Sequence, residues 1–320
     1  MPSPLTPIDV ERKIKDLFRG FFEQGFKKKT DVPLYLKSLP NWKLGGYGGN
    51  TPCVEVSAAK TQIIVDGGSG IRNLGIEMMN GPCAEGKGEV HIFFTHFHWD
   101  HLIGLPFFTP LFVPGNQIHV YAVQPELESV FQTVFRKPYF PLQLKDLGAT
   151  IHYHRLEPRK PFKMKDIQVT PYQLDHPDPC WGYKFEYGGK TYSHCVDTEC
   201  TRISRAQLGE DLPLYQNVDL LVFDAQYTLL ETLEKVHWGH AAASLGLDIA
   251  MREGIKQVIF MHHDPSSNDK KISTAEAQAR KYYDTQISMA KKAQQRKKTE
   301  TSEVRELKWS FGYDGLEIEI

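Results

Sequence analysis

The sequence lacks the features that define several large classes of protein. Its five cysteines are an odd number, lie far apart and form no C-x-x-C pair, so neither a zinc knuckle nor a disulfide scaffold is indicated. No apolar run approaches the length of a membrane span, and the proline-rich start MPSPLTPIDV has no signal-peptide core. The net charge of −1 exerts no overall attraction on nucleic acid or anionic lipid. We therefore expect reduced thiols, a cytoplasmic location and no membrane partner.

The apolar content is nevertheless sufficient for a large core, since 41% of the 320 residues are hydrophobic. Predicted strands and helices follow each other without strict alternation and without an internal repeat, which favours a layered α/β fold. The segments DLLVFDA (219–225) and KQVIFMH (256–262) are apolar on both faces, so they predict buried strands with helices packed outside them. The predicted parts of the chain are an N-terminal extension (1–46), a main domain (47–320), a lid insertion within it (111–161) and a basic C-terminal helix (273–299).

Capping residues and apolar periodicity predict where individual elements begin and end. The expected elements are a helix from Asp9 to about Gly20, a helix from His240 to about Glu253 that Gly254 ends, a helix opening at the capping box Ser273 to Glu276, and a final strand LEIEI (316–320). The basic run of the C-terminal helix is expected on an exposed face, where RNA would bind if RNA is a partner. That run consists of Lys291, Lys292, Arg296, Lys297 and Lys298.

The segment THFHWDH places three histidines and an acid directly after an apolar strand. His96 and His98 are two residues apart, so their imidazoles project to the same side of an extended chain. Asp100 and His101 follow at once and form a second group beside them. A histidine-rich surface loop is the alternative, but burying these groups without a metal would be costly. The spacing therefore predicts ligands for two neighbouring metal ions.

Three further candidates each follow a predicted strand or turn. His176 lies in QLDHPDP, Asp197 in SHCVDTE and His262 at the end of VIFMH. A carboxylate such as Asp197 can bridge two cations, although this residue could instead cap a turn through Thr198. His263 competes with His262, and we favour His262 because it is the last residue in register with the strand. The mixed set suits two divalent ions, of which zinc is our first choice and manganese or iron the alternatives.

Together these segments resemble the metallo-β-lactamase-fold hydrolases. THFHWDHLIGLPFF is similar to the H-x-H-x-D-H signature of that superfamily. The segments YGGNTPCVEV, IIVDGGSGIRNLG, DHPDPCWGYKFE, CVDTE, DLLVFDA, WGHA and VIFMHHDP resemble motifs of its phosphodiesterase branch, which includes ribonuclease Z and cyclic-phosphate phosphodiesterases. The resemblance spans residues 47–265 and implies a four-layer αββα sandwich with a dinuclear metal site at one edge. It implies that one metal is held by His96, His98 and His176, the other by Asp100, His101 and His262, and that Asp197 bridges the two.

The resemblance also implies a proton donor outside the metal ligands. His240 in WGHAA matches the histidine that protonates the leaving group in the ribonuclease Z branch, and Asp224 in VFDAQYT matches the acid that orients it. A histidine held by a carboxylate can keep a raised pKa, which suits a general acid. Position alone also allows a solvated histidine at a helix start. The sequence departs from ribonuclease Z at Ala241, where relatives carry a hydroxyl residue, and in having no long glycine- and proline-rich tRNA arm.

These residues predict a metal-dependent phosphodiesterase acting on a small or cyclic nucleotide phosphodiester, with residues 47–320 as its catalytic domain. Asp100 would orient a hydroxide generated at the dinuclear centre, and His240, steadied by Asp224, would protonate the leaving ribose oxygen. The near-neutral charge and the missing arm favour a small substrate over RNA. The alternatives are a ribonuclease Z-like RNA 3′-end endonuclease, a metal-dependent ester or thioester hydrolase, and a binding protein without catalysis. We expect a homodimer.

Overall fold

The computed structural model describes residues 5–58, 61–297 and 306–320, and of residues 41 and 293–297 it describes the backbone alone. The helices in these ranges are α1 (Pro7–Glu23), α2 (Val32–Lys37), α3 (Asn41–Leu44), α4 (Ile71–Met78), α5 (Leu127–Val134), α6 (Arg205–Leu208), α7 (Leu229–Glu234), α8 (Ala243–Glu253) and α9 (Asp269–Lys297). The strands are β1 (Val54–Ala58), β2 (Thr61–Val65), β3 (Glu89–Phe93), β4 (Gln117–Ala122), β5 (Thr150–Arg155), β6 (Phe162–Met164), β7 (Ile167–Gln173), β8 (Trp181–Tyr187), β9 (Lys190–Cys195), β10 (Leu220–Asp224), β11 (Gln257–Met261) and β12 (Lys308–Phe311).

The strands form two sheets that pack face to face, with helices outside them. The first sheet has the order β1-β2-β3-β4-β5, and the second has the order β12-β11-β10-β9-β8-β7-β6. One apolar core joins the first sheet to α4 and α5, a second joins the other sheet to α8 and α9, and a third lies between the sheets. The predicted four-layer αββα sandwich is therefore confirmed.

β10 illustrates how a strand that is apolar on both faces fits this architecture. All five of its residues are buried, and successive side chains alternate between the two sides of the sheet. Leu221 and Phe223 belong to the core beneath the helices, whereas Leu220 and Val222 belong to the core between the sheets. On the helical side, a Cβ added to Gly246 of α8 would lie 2.6 Å from the Phe223 ring. The bare backbone of Gly246 thus lets α8 pack closely on the sheet.

Parallel strands bring residues from distant parts of the sequence to one edge of the sandwich. β2 and β3 are parallel in the first sheet, and β9, β10 and β11 are parallel in the second. At or shortly after the carboxyl ends of these five strands stand Asp66, His96, Asp197, Asp224 and His262. Because the carboxyl ends of parallel strands lie on a common edge, polar groups placed there can converge.

The first helix is longer than predicted, and the eighth helix starts later. α1 begins at Pro7 because the Thr6 side chain accepts a hydrogen bond from the Asp9 amide, so Thr6 is the capping residue. α8 begins only at Ala243, and the predicted helical start at His240 is wrong. The chain at residue 240 is instead held by a β-bridge between Tyr227 and the residue preceding α8. The predicted end of α8 at residue 254 is confirmed, since that glycine adopts the left-handed conformation.

The C-terminal helix also begins earlier than predicted. α9 starts at Asp269, before the capping box over 273–276, because the Asn268 side chain accepts a hydrogen bond from the Lys271 amide at 2.9 Å. Asparagine is as favourable as serine at this position, so the chain offered two possible caps and uses the first. Residues 298–299 of the predicted basic helix, with Lys298, lie outside the described residues.

The end of the chain differs from the prediction as well. The predicted strand over 316–320 is wrong, because the chain there is irregular. Leu316 and Ile318 pack against the core between the sheets, which explains the alternation of apolar residues without a neighbouring strand. The last strand is instead β12, which pairs in parallel with β11 and buries Trp309 and Phe311 against α9.

The segment 111–161 is an integral part of the sandwich. It supplies β4 and β5 of the first sheet, together with α5, which covers that sheet. Phe131 and Phe135, two aromatic residues of this segment, are fully buried core residues. Their aromatic character therefore reflects packing under α5. The role of residues 111–161 as a lid stays a prediction, as do the division of the chain at residue 46 and the homodimer.

The five cysteines are free thiols, four of them buried and Cys53 half-buried. Burial raises the pKa of each thiol, so the neutral form is favoured at all five positions. Among the described residues, no helix combines the length and the apolar character needed to cross a membrane.

Candidate active site

His96, His98 and His176 form a first group of potential ligands at the edge of the sandwich. One ring nitrogen of each lies within 4.8 Å of the others. Burial and the neighbouring His101 imidazole hold the pKa of His96 well below its usual range, and burial also lowers the pKa of His176. Neutral imidazoles of this kind present a lone pair to a cation.

Asp100, His101, Asp197 and His262 form a second group, whose ligand atoms again lie within 4.8 Å of one another. Asp197 is central, because its Oδ2 lies 3.0 Å from His101 Nε2 and 3.3 Å from His262 Nε2. Its other oxygen, Oδ1, lies 3.9 Å from His96 Nε2 in the first group. Asp197 thus reaches both groups, as a bridging carboxylate must.

The two groups contain buried polar atoms that the described part of the protein leaves without a hydrogen bond. These atoms include His96 Nε2, His101 Nε2 and Asp197 Oδ2. Buried polar atoms without a partner are unfavourable, and these three converge on a common space. Burial opposes a charge on His101, but the Asp197 and Asp66 carboxylates raise its pKa well above the usual range. The site therefore favours positive charge, and its nitrogen and oxygen donors fit divalent cations.

Neighbouring groups fix which nitrogen of several histidines is available to a cation. The contacts are Asp66 Oδ2 to His101 Nδ1 (2.8 Å), Thr95 Oγ1 to His96 Nδ1 (3.1 Å) and Asp178 Oδ2 to His98 Nε2 (2.8 Å). Each contact engages one ring nitrogen and leaves the other for the cluster. Partners of this kind commonly orient the histidines of metal sites.

Asp66 is a site residue that the sequence analysis missed. It is fully buried just after β2 and accepts hydrogen bonds from the Thr95 amide and hydroxyl, both at 2.9 Å. The available signal was an acid that ends an apolar strand directly before the glycines of DGGSG. A Cβ at Gly68 would lie 2.4 Å from the Pro52 carbonyl oxygen, so the glycine lets this turn pack closely. Asp178 was missed in the same way, within the quoted motif DHPDPC.

Of the two adjacent histidines, His262 faces the cluster. Its Nε2 lies 3.3 Å from one oxygen of each carboxylate in the second group. His263 instead donates a hydrogen bond from Nε2 to the Gly312 carbonyl oxygen at 3.1 Å. The predicted reason for preferring His262 is wrong, since β11 ends at Met261 and His262 lies beyond the strand. Its left-handed backbone, with a φ of 67°, turns it toward the cluster.

Two further site residues share this unusual backbone conformation. φ is 65° at Asp66 and 61° at Asp197, and each residue stands just past the end of a strand. A non-glycine residue in this region costs on the order of 1 kcal/mol or more, which packing elsewhere must offset. The strain is thus located at residues that converge on one site.

His240 and Asp224 lie beside the second group. His240 Nδ1 is 3.0 Å from Asp224 Oδ2 and 3.7 Å from Asp197 Oδ1. Burial opposes a charge on His240, but the Asp224 carboxylate outweighs it and raises the pKa of His240 above its usual value. Asp224 also accepts a hydrogen bond from the Ala241 amide at 3.0 Å, which fixes this loop. Together with Asp197 and His262, the pair also has the spacing of a cation site, so two roles for His240 are chemically available.

A cavity of about 1610 Å³ opens beside the cluster. Asp100, Asp197 and His240 line its polar part, whereas Val56 and Ile259 belong to its apolar part between the sheets. Sites for small molecules commonly occupy roughly 300–1,000 Å³, so a nucleotide has ample room here.

Comparison with known proteins places this arrangement in a family. A family model described as the β-lactamase superfamily domain matches residues 61–263. The ribonuclease Z of Bacteroides thetaiotaomicron is 22% identical over 243 residues, which are 59% of this chain and 73% of that enzyme. Five other ribonuclease Z relatives match over only 41–44% of their own length.

Solved structures share the fold at low sequence identity. The metallo-β-lactamase-fold protein YhfI from Bacillus subtilis superposes with a TM-score of 0.57 at 17% identity, covering 85% of this chain and 95% of that chain. A diphosphatase of the PhnP family gives a TM-score of 0.53 at 19% identity and covers 84% of each chain. Because the family model matches more than half of the sequence, this chain belongs to the β-lactamase superfamily, in the branch of metal-dependent hydrolases that includes its ribonuclease Z relatives.

Proposed function

We propose that this protein hydrolyses a phosphodiester bond in a small or cyclic nucleotide, with His240 as the proton donor to the leaving oxygen. The observation that carries the proposal is the 3.0 Å contact between His240 Nδ1 and Asp224 Oδ2 beside the candidate ligands. Hydrolysis of a thioester at such a site has less need of a separate acid because a thiolate is a good leaving group, whereas a departing ribose oxygen must gain a proton.

The residues divide naturally into ligands and proton-handling groups. The proposed ligands are His96, His98 and His176 for one cation and Asp100, His101 and His262 for the other, with Asp197 between them. When bound, two divalent cations, with zinc first and manganese or iron as alternatives, lower the pKa of water and neutralise charge on the phosphoryl oxygens.

His240 and Asp100 handle the proton and the attacking water. Because Nδ1 of His240 faces Asp224, its Nε2 is left to donate a proton to the leaving oxygen. The raised pKa of His240 keeps that proton in place near neutral pH. The Asp100 carboxylate is partly exposed to the cavity, where it would orient the attacking water. The Asp224 carboxylate stabilises the protonated His240 ring before proton transfer and favours its reprotonation afterwards.

The structural similarity to a diphosphatase supports a small substrate, and the cavity has room for one. The absence from the sequence of a glycine- and proline-rich tRNA arm supports it further. A second candidate, an RNA 3′-end endonuclease, is favoured by the ribonuclease Z relatives. The two candidates share the proposed chemistry and differ in the substrate.

The experiment measures hydrolysis of bis(p-nitrophenyl) phosphate, of 2′,3′- and 3′,5′-cyclic nucleotides, and of a structured RNA with a 3′ extension. Wild type is compared with His240→Ala and with a matched control, His237→Asn, which changes an exposed histidine of the same loop. Metal content is quantified in every sample. We expect turnover of a cyclic nucleotide that falls by roughly 10²- to 10⁴-fold in His240→Ala at unchanged metal content.

Other results would redirect the assignment. Cleavage of the RNA alone would favour the endonuclease. Loss of metal from His240→Ala would make His240 a ligand instead of a proton donor. If the fully metallated protein hydrolysed no phosphodiester at all, the proposed reaction would be abandoned.

A further inference from the structure

The first helix exposes an apolar stripe that nothing in the described chain covers. Val10, Ile14, Phe18 and Phe22 recur every fourth residue along α1 and are 42–64% exposed. Another side of α1 is docked, since the Leu17 carbonyl oxygen accepts a hydrogen bond from the Tyr35 hydroxyl at 2.8 Å. α1 is thus fixed to the protein by one side while its apolar stripe faces water.

This stripe is part of a wider concentration of exposed apolar residues. Ten of the 26 large apolar side chains exposed by the described residues lie between Leu5 and Leu44. A second set lies on α7 and after it, where Leu230, Leu233 and Trp238 are 63–74% exposed. Exposed apolar surface on this scale marks an interaction site rather than chance.

Ion pairs hold both sets beside the active site. Lys13 of α1 lies 2.8 Å from Asp269 in the first turn of α9, and Lys271 of that same turn lies 2.8 Å from Glu231 of α7. α1 and α7 therefore flank the same end of α9. The chain after α7 leads directly to His240, so the set on α7 is close in sequence to the candidate active site.

The net charge of the N-terminal extension (1–46) is opposite in sign to that of the rest of the chain. Residues 1–46 contain nine Lys and Arg against five Asp and Glu, whereas the rest of the chain contains 29 against 34. Three of the lysines, at 27–29, follow α1 directly. The balanced net charge of the whole chain conceals this local excess.

We propose that the stripe of α1 and the exposed residues of α7 dock on the surface of an anionic lipid bilayer. A helix with an apolar stripe and adjacent lysines lies in the interfacial plane, with the apolar side chains among the acyl chains and the lysines near anionic headgroups. The entrance of the active site then lies close to the membrane surface. This proposal does not depend on which bond the enzyme cleaves.

Two other occupants fit the surface less well. RNA would attract the lysines, but it would leave the aliphatic and phenyl side chains of the stripe in water. A second copy packed on the stripe would cover the apolar side chains, but it would offer the lysine run no partner of opposite charge that the stripe itself supplies. A bilayer satisfies both the apolar stripe and the positive charge.

The test is flotation of the full-length protein with phosphatidylcholine vesicles and with vesicles containing phosphatidylglycerol, without substrate. Phe18→Asp (64% exposed) is compared with Met289→Asp, a control whose side chain is 61% exposed in the distant part of α9. We expect wild type and Met289→Asp to bind anionic vesicles, and Phe18→Asp to bind roughly tenfold or more weakly. Circular dichroism and metal content must be the same in all three proteins.

The lysines provide an independent arm of the test. The triple variant Lys27→Gln, Lys28→Gln, Lys29→Gln should lose affinity for anionic vesicles, and wild-type binding should weaken as salt rises. The proposal is overturned if wild type binds no vesicle of either composition. It is also overturned if Phe18→Asp abolishes a dimer in ultracentrifugation or binding of RNA while vesicle binding is absent.

Discussion

The candidate metal ligands depend on carboxylates that do not themselves face the cluster. Asp66 engages Nδ1 of the buried His101, and Asp178 engages Nε2 of the exposed His98. Burial gives the first contact more weight, since water can replace an exposed partner but not a buried one. An aspartate therefore matters more for orienting its histidine at position 66 than at position 178.

We expect Asp66→Asn to weaken metal binding by roughly 10- to 100-fold, because the amide removes the charge that orients and polarises His101. The smaller effect should come from Asp178→Asn, whose partner is exposed. Competition with a chromogenic chelator measures the affinity. The matched control is Asp166→Asn, an exposed aspartate outside the site. Equal affinity of wild type and Asp66→Asn would contradict this role.

Sequence reasoning located the histidine motif because its residues are adjacent and their spacing has a direct geometric meaning. The structure brings those residues together with His176, Asp197 and His262, while their individual roles stay proposals. Asp66 escaped notice because a single acid after a strand has many ordinary explanations. Its importance follows from a contact with His101, across two strands, that no local pattern records.

At the scale of the element, the packing of α8 on β10 and β11 depends on one missing side chain. We expect Gly246→Ala to lower the free energy of unfolding by about 1–3 kcal/mol, because the new Cβ would lie 2.6 Å from Phe223 and 2.7 Å from Phe260. Better helix propensity offsets about 1 kcal/mol of this loss. Urea unfolding measures the change against Gly45→Ala, where the added methyl meets nothing within 4 Å. If the Gly246→Ala protein were as stable as wild type, the Phe223 and Phe260 rings would have moved aside without a cost in free energy.

A row of histidines crosses the first sheet away from the active site. His91, His119 and His152 are in register on β3, β4 and β5, and adjacent rings stack with centroids 5.0 and 4.6 Å apart. His154 adds a 3.0 Å contact from Nε2 to His119 Nδ1. Burial and then the adjacent His119 lower the pKa of His91 to about 4, and burial also lowers the pKa of His119 and of His154.

This row should make stability depend on pH. The pKa of His91 is lower in the folded chain than the value of about 6.5 in the unfolded chain, so the unfolded state binds more protons between these values. The contribution of neutral His91 to the free energy of unfolding is then fully present above about pH 6.5. It falls toward pH 4, by up to about 1.4 kcal/mol per pH unit for this group. Urea titrations across that range should give a shallower slope for His91→Gln and an unchanged slope for His237→Asn. Identical slopes in all three would exclude the row as the cause.

Element boundaries show where sequence patterns are ambiguous. The strands β10 and β11 were predictable because their apolar runs are too short for a buried helix, as is typical of a strand buried on both faces. Residues 316–320 alternate equally well, yet they pack against the core without a neighbouring strand to pair with. Composition likewise cannot tell a buried aromatic residue, such as Phe131 or Phe135, from one that covers a ligand.

At the scale of the whole molecule, the unpaired polar atoms of the candidate site should couple metal binding to stability. With a divalent metal at about 100 times its dissociation constant, we expect chelation to lower the free energy of unfolding by roughly 3 kcal/mol. Thermal and urea unfolding with and without chelator measure this difference. Asp197→Ala should show little response to chelator, since it lacks the carboxylate that reaches both groups. Equal stability of the metallated and stripped wild type would argue against binding at this site.

Both ligand groups draw on the two sheets, and this has a consequence for how the protein folds. His96, His98, Asp100 and His101 follow a strand of the first sheet, whereas His176, Asp197 and His262 belong to loops of the second. Contacts between segments so distant in sequence form late, because closing the intervening chain carries an entropic penalty before any contact compensates it. A refolding chain should therefore acquire its full affinity for metal only at the docking of the two sheets, after each has formed. Uptake of metal would then report the final step of folding.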